Sequence, residues 1–314
     1  MVSPTNDVIS ITSPTTVNKT KLGVYLGKVF CSEVISVDSL QCYKPGRIVT
    51  AKVTESEADG VVHHLVDYLE AHEEPHSFLQ TALECIENIQ SRGNVPILAG
   101  GSTSLTIPIL RQCIDNGKRL CVIMLNSPLP ILQNRIERRV DQMIDEGLLD
   151  ELRELLALEA AHLKEGPDFK RGIWKTIGYP EFYPYLTSSG GDGEPIPEEI
   201  FKACVAEMKM NTFSYARMQL NWSQETLVPM LQQNGVSYTR LMGSAVELRI
   251  ARVGTEQGRQ EHLNIPQDHR LLAEHNKPGG SPGHVQLRKD ALIREDLQEV
   301  PGLGAVGEQV PGSP

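Results

Sequence analysis

The run Val8-Ile9-Ser10-Ile11-Thr12, followed by Ser13-Pro14-Thr15-Thr16-Val17-Asn18-Lys19-Thr20, decides how this chain is read. Val8, Ile9 and Ile11 form a short apolar strand signal and the Ser/Pro/Thr segment a turn; Leu22, Tyr25, Leu26, Val29 and Phe30 then recur at helical spacing. A loop between a first strand and a first helix is where a P-loop sits, with the usual pattern G-x-x-x-x-G-K-[ST]. Only the Lys19-Thr20 end of that pattern is present, and Ser13 and Asn18 replace the two glycines. Asn tolerates left-handed backbone angles better than most residues, so Asn18 can hold the turn with some loss of fit. In such loops backbone N–H groups and the helix N-terminus surround phosphate oxygens, the Lys supplies charge, and the Ser or Thr hydroxyl ligates magnesium. Taken alone, a Ser/Thr-rich turn capping a helix explains the octapeptide about as well.

Working outward, Glu33-Val-Ile-Ser-Val37 predicts a second strand and His63 to Tyr68 another short one. A helix is predicted from about Phe78 to Arg92, with its stripe at Leu79, Ala82, Leu83, Ile86 and Ile89, a Ser77 cap and Gly93 at its end. It leads into Val95-Pro-Ile-Leu98 and Gly100-Gly101, and later into Leu120-Cys-Val-Ile-Met-Leu125. Strands separated by helices predict a parallel sheet covered on both faces. From about Ile131 to Leu231 the pattern is mostly helical, with a Gly/Pro-rich loop at Ser188 to Pro197. The fold expected is thus α/β, a P-loop NTPase-like parallel sheet covered by helices (about 1–128) with a smaller helical subdomain (about 129–235).

Composition shifts near residue 250. No Phe, Trp or Tyr follows Tyr238, and residues 251–314 hold 9 Gly and 6 Pro. Such a stretch cannot bury enough apolar surface to offset its ordering entropy. We expect one folded domain over 1–250 and a largely disordered tail over 251–314, with a short helix around Asp290 to Val300.

The 314 residues carry 30 Lys plus Arg against 40 Asp plus Glu, a net charge of −10. That balance argues against a protein that grips long nucleic acid through its phosphates, which needs a basic excess. Apolar runs such as Leu120 to Leu125 are far shorter than a bilayer span. The first thirty residues lack a basic start followed by an apolar stretch, and the first strand begins near Val8, so a cytoplasmic protein is expected. Cysteines 31, 42, 85, 113, 121 and 204 form no C-x-x-C pair and read as reduced, mostly buried thiols.

Two further segments bear on chemistry. Strand two ends in Ser36-Val37-Asp38-Ser39, placing a carboxylate at the C-terminal edge of the sheet, where ligands bind in open α/β folds. An Asp there can take a proton from, or orient, a substrate amine, although an Asp capping a turn is the commoner case. Ala99-Gly100-Gly101-Ser102-Thr103 brings two small residues and two hydroxyls to the same edge, where Gly-Gly alone says little.

In this order the segments resemble the isopentenyltransferase family, enzymes that move a dimethylallyl group onto the exocyclic amine of adenine. The resemblance covers about Val8 to Leu231. It rests on Glu33-Val-Ile-Ser-Val-Asp-Ser39 with Gln41 and Tyr43, Thr50-Ala51-Lys52, His63-His64-Leu65-Val66-Asp67, and Pro96-Ile-Leu-Ala-Gly-Gly-Ser102. It continues through Arg139-Val-Asp-Gln-Met143 with Glu146-Gly-Leu-Leu149, Arg171-Gly172, Ile177-Gly178-Tyr179 with Glu181, and Lys209-Met-Asn-Thr212 with Gln219.

The resemblance implies that the diphosphate of dimethylallyl diphosphate lies in the loop, with Ser13, Thr15, Thr16, Asn18, Lys19 and Thr20 around it, Mg2+ on Thr20, and Lys209 as a further phosphate contact. Asp38 would take up the proton of the adenine amine, with Lys19 and Ser102 as the other catalytic residues. Ser39, Gln41, Thr50, Lys52, Gly101, Ser102, Thr103 and Arg139 would surround the nucleotide. For Arg139 a solvated helix charge is nearly as good a reading.

The family divides into enzymes that modify tRNA and enzymes that modify free adenine nucleotides in cytokinin synthesis. The tRNA enzymes carry a long helical insertion after the Gly-Gly-Ser/Thr strand. Here about 18 residues separate Ser102 from the strand near Cys121, and no cysteine follows Cys204 to build the zinc finger common in eukaryotic tRNA enzymes. Both features, with the acidic charge, imply the adenylate branch, an enzyme acting on AMP, ADP or ATP; a monomer is expected, with neither tRNA nor a membrane as partner. Trp222 and Leu227-Val-Pro-Met-Leu231 instead look like the tRNA branch. Phe213 and Ser214 stand where the family usually has an arginine, and Met218 replaces a second, although Arg217 is adjacent. The alternative reading is therefore a tRNA dimethylallyltransferase-derived protein that has lost its RNA-binding parts, or a catalytically weakened or non-catalytic nucleotide-binding relative, with a nucleotide kinase on the same fold as a further class.

Overall fold

Six short segments pair into one parallel sheet: β1 (Asp7–Thr12), β2 (Val34–Val37), β3 (His63–His64), β4 (Ile97–Gly100), β5 (Arg119–Asn126) and β6 (Tyr238–Met242). Their order across the sheet is β3-β2-β4-β1-β5-β6, with every pair parallel. The computed structural model describes residues 5–164, 166–188 and 197–243. The expected tail over 251–314, its helix near Asp290 to Val300, and most of the Ser188 to Pro197 loop lie outside the described residues.

Alternation along the strands explains why both faces are covered. Val8, Ile35, Val37, Leu98, Val122 and Met124 point into one apolar cluster with α3 (Phe78–Ser91), α4 (Thr106–Asp115) and α9 (Val228–Gln233). Ile9, Ile11, Val34, Ile97, Ile123 and Leu125 point the other way, onto α1 (Lys19–Val29), α5 (Leu129–Asp145) and α8 (Glu198–Trp222), while the four-residue α2 (Glu55–Ala58) lies between β2 and β3 in the chain. Strands buried on both faces read as near-continuous β-branched runs. The alternating strand and helix pattern of the first half was therefore legible.

A second core is helical. Val140, Met143, Leu148, Leu152, Leu155, Trp174, Tyr179, Phe182 and Met208 pack together from α5, α6 (Leu148–His162), a 3-10 turn at Gly172–Lys175, α7 (Tyr179–Thr187) and α8. Cys42, Tyr43, Val49 and Ala71 join them. The segment after β2, grouped with the sheet by chain order, thus packs with the helices. Conversely Leu227, Val228, Met230 and Leu231, grouped with the helices, pack on the sheet.

Two further expectations are corrected. The strand expected over His63 to Tyr68 stops at His64, because Leu65 and Asp67 adopt positive φ of 62° and 59°. The Ser77 side chain makes no cap hydrogen bond, and only its carbonyl is used, by Thr81. The strand β6 had no separate signal. None of the six cysteines forms a disulfide, and Cys31 is exposed while Cys42, Cys113 and Cys204 are buried. Among the described residues no helix is long and apolar enough to cross a membrane.

Candidate active site

The strand register brings three loops to one place. Thr12 pairs with Gly100, and Gly100 with Val37, so β1, β4 and β2 end level with one another. The segments that follow them are Ser13–Asn18, Gly101–Thr103 and Asp38. Their closeness dictates the glycines: a Cβ on Gly100 would lie 2.1 Å from the Val37 carbonyl oxygen, and one on Gly101 would lie 2.3 Å from that of Ser13. The Gly-Gly pair is required by packing of main chain on main chain.

Within the first loop, Thr16 and Asn18 take left-handed φ of 62° and 58°, so Asn18 does the work of the missing glycine before α1. Lys19 folds back onto its own loop, its Nζ donating to the carbonyls of Pro14 at 3.0 Å and Ser13 at 3.3 Å. Burial pulls this ammonium down to about 8, Asp38 opposing the shift and Arg139 adding to it. Lys19, Asp38 and Arg139 are therefore close enough for their charges to interact across the crevice at the C-terminal edge of the sheet. Arg139 is half-buried and its charge is disfavoured by burial, with Asp38, Glu57 and Glu146 acting to retain it. It is no solvated helix charge. Asp38 Oδ1 accepts the Leu40 N–H at 2.9 Å, which fixes the carboxylate at the strand end.

The hydroxyls divide in their use. Ser13 Oγ donates to the Pro14 carbonyl at 2.7 Å, and the Thr16 hydroxyl is buried without a hydrogen-bond partner. Ser102, buried, shares a 3.2 Å contact with Ser104 Oγ, while Thr103 beside it is half-buried. Thr20 is half-buried at the second position of α1, where helix N–H groups lack intrahelical partners. Among the described residues no group of three or more His, Cys, Asp or Glu could hold a metal. One hydroxyl and one carboxylate fit a Mg2+ that takes most of its oxygen ligands from a diphosphate and water.

Several residues expected around the nucleotide are committed to the fold instead. Lys52 is buried, its Nζ donating to the carbonyls of Tyr43, Lys44 and Pro45 and pairing with Asp67 Oδ1 at 2.6 Å. Gln41 is held at both ends, by the Ser36 hydroxyl and by the carbonyls of Thr50 and Ala51. Thr50 Oγ1 donates to Gly46, and the Ser39 carbonyl receives Cys42 Sγ. From α6, Glu151 accepts the N–H groups of Ile48 and Val49. These contacts make the post-β2 segment a rigid wall beside Asp38. Lys209, expected on phosphate, pairs with Asp141 at 2.5 Å.

The chain matches the family model described as IPP transferase over residues 41–116 and 108–226, more than half its length. It belongs to that family. A bifunctional cytokinin biosynthesis protein of Fusarium pseudograminearum is 46% identical over 237 residues, 76% of this chain and 48% of that protein. The chloroplastic adenylate isopentenyltransferase 5 of Arabidopsis thaliana is 32% identical, covering 68% of this chain and 64% of its own. This chain therefore spans about half the length of the first relative and just under two thirds of the second. A solved eukaryotic dimethylallyltransferase acting on tRNA superposes with a TM-score of 0.65 at 22% identity, covering 85% of this chain and 83% of its own, which shows a shared fold.

In this member of the family, several motif residues prove architectural. Glu181 caps the start of α7 through the Gly178 N–H at 2.6 Å and receives Asn211 Nδ2 from α8 at 2.7 Å. Trp222 packs against the sheet cluster that buries Leu227 to Leu231, so the segments that look like the tRNA branch have a core-packing role here. Two residues on the crevice side of α8 had no assigned role. The Tyr215 hydroxyl is pushed up to about 12 by burial and by Asp38 nearby. One turn on, Gln219 bridges the first loop and Gly101. Their i, i+4 spacing was the available signal.

Proposed function

We propose that this chain transfers a dimethylallyl group from dimethylallyl diphosphate to the exocyclic amine of adenine in a free adenine nucleotide, AMP, ADP or ATP, releasing diphosphate. The observation that carries the reading is the level ending of β1, β4 and β2, which sets the Asp38 carboxylate beside the Lys19 loop that opens onto a helix N-terminus, with the charge of Arg139 acting on both. Carbon–oxygen cleavage leaves negative charge on diphosphate, which Lys19, Arg139 and the N–H groups of the loop stabilise. The amine nitrogen forms the new bond to the allylic carbon, and its proton passes to Asp38, whose Oδ1 is already oriented by Leu40. Thr20 would hold Mg2+, whose charge offsets that of the diphosphate.

A free nucleotide as acceptor is supported by the short connection between β4 and β5, a single helix over Thr106–Asp115, and by the acidic balance of the chain. The decisive experiment incubates purified protein with dimethylallyl diphosphate, Mg2+ and a panel of AMP, ADP, ATP and an anticodon-arm oligonucleotide, read by mass spectrometry. Prenylated nucleotide is expected. Product only on the oligonucleotide would overturn the acceptor, and no product, with a working family member alongside, would overturn the activity.

A further inference from the structure

We propose that Gln219 is a positioning residue for the transfer, clamping the first half of the loop so that the donor diphosphate is held through the second half, Thr16 to Thr20. The inference rests on the donor assigned above. Both ends of the side-chain amide are engaged: Oε1 accepts the Thr15 N–H at 2.9 Å, and Nε2 donates to the Gly101 carbonyl at 2.9 Å. The side chain is only 5% exposed. Pro14 has no N–H and that of Thr15 is taken by Gln219, so Thr16 is the next residue after Ser13 whose N–H can meet a phosphate oxygen. There the left-handed turns at Thr16 and Asn18 begin, the kind of backbone that turns successive N–H groups into an anion-binding hollow.

Lys19 grips the same half-loop from its carbonyl side, at Ser13 and Pro14. Two of its three N–H groups are on those carbonyls, and a diphosphate takes the third or competes for the others. Gln219 then still seats Thr15 against Gly101, where the Ser13 carbonyl approaches too closely for any side chain. Replacing the amide with an apolar group leaves a main-chain N–H and C=O buried without partners.

The test compares wild type, Gln219→Leu and Gln219→Glu in steady-state assays with dimethylallyl diphosphate and the acceptor nucleotide, with thermal melts alongside. Gln219→Leu is expected to raise the donor KM about tenfold or more and leave the acceptor KM within about twofold. In Gln219→Glu an ionised carboxylate accepts from Thr15 but repels the Gly101 carbonyl, whereas the protonated acid donates to it. Burial beside that carbonyl raises the carboxyl pKa, so the ratio of the variant's donor KM to that of wild type at the same pH is expected to improve as pH falls from about 7.5 to 5.5, a ratio that cancels the donor's own ionisation. A folded Gln219→Leu with unchanged donor KM, or with both KM values raised equally, overturns the proposal. Should that variant not fold, the pH profile of the Gln219→Glu ratio decides, and a flat profile overturns it. A wild type that neither turns over nor binds the donor in calorimetry overturns the functional reading, and this inference with it.

Discussion

Lys52 Nζ lies 2.6 Å from Asp67 Oδ1, with the lysine side chain fully shielded from solvent and the aspartate 37% exposed. The same ammonium closes the turn over Tyr43, Lys44 and Pro45, so it organises the wall beside Asp38 and is not available to a nucleotide. Lys52→Met is expected to cost about 2 to 3 kcal/mol in a denaturant melt, since three carbonyls lose their donor. The acceptor KM of the folded variant should stay within about twofold of wild type.

Donor affinity should depend on pH through Lys19. With its ammonium held down to about 8, the free protein loses this charge above that pH, whereas bound diphosphate favours the charged form. Binding therefore takes up a proton above pH 8, and the donor Kd should rise by up to about tenfold per pH unit there. Calorimetry in buffers of different ionisation enthalpy reads the proton uptake, and Lys19→Arg should abolish it.

Asp38→Asn keeps an oxygen for the Leu40 N–H but cannot take the amine proton. The expected result is a kcat lower by about 100- to 10,000-fold with donor binding retained. Equal activity of the variant would move the base elsewhere.

Glu159 is buried, its Oε1 without a hydrogen-bond partner, and burial raises its pKa while the hydroxyls of Tyr179 and Tyr183 oppose the shift. The folded state thus keeps this proton at pH values where the unfolded chain has lost it. Stability should fall as pH rises from the unfolded value near 4.5 through the raised folded value. Glu159→Gln is expected to raise Tm at neutral pH, with the gain vanishing towards pH 4.5.

Met218 is 46% exposed and lines a shallow groove with Ser214, Arg217 and Asn221. Restoring the family's cation as Met218→Arg should tighten donor binding by about tenfold, the scale of one charge-assisted contact. An unchanged Kd would mean that the cations already in the crevice suffice.

Much of this was legible along the chain. The β-branched runs ending at Thr12, Val37 and Gly100 are local signals, and so are the helical stripes between them. Positive φ at Asn18 followed from its residue type and place before Lys19-Thr20. Motif membership is less informative: Lys52, Gln41 and Lys209 are expected on ligand, and here backbone carbonyls, Asp67 and Asp141 hold them. A motif preserves a residue without saying whether it meets substrate or supports the wall behind it.

Sequence was enough for the class of fold, the family and the edge of the sheet where chemistry belongs, because short-range pattern and strand-to-helix order carry that information. Tertiary packing settled the rest. It paired β6 with β5, moved the segment after β2 into the helical core, brought the charge of Arg139 on α5 within reach of Asp38, and set Gln219 between Thr15 and Gly101. Each of these joins residues about a hundred or more positions apart or turns on one buried hydrogen bond, and neither leaves a periodic trace in a chain.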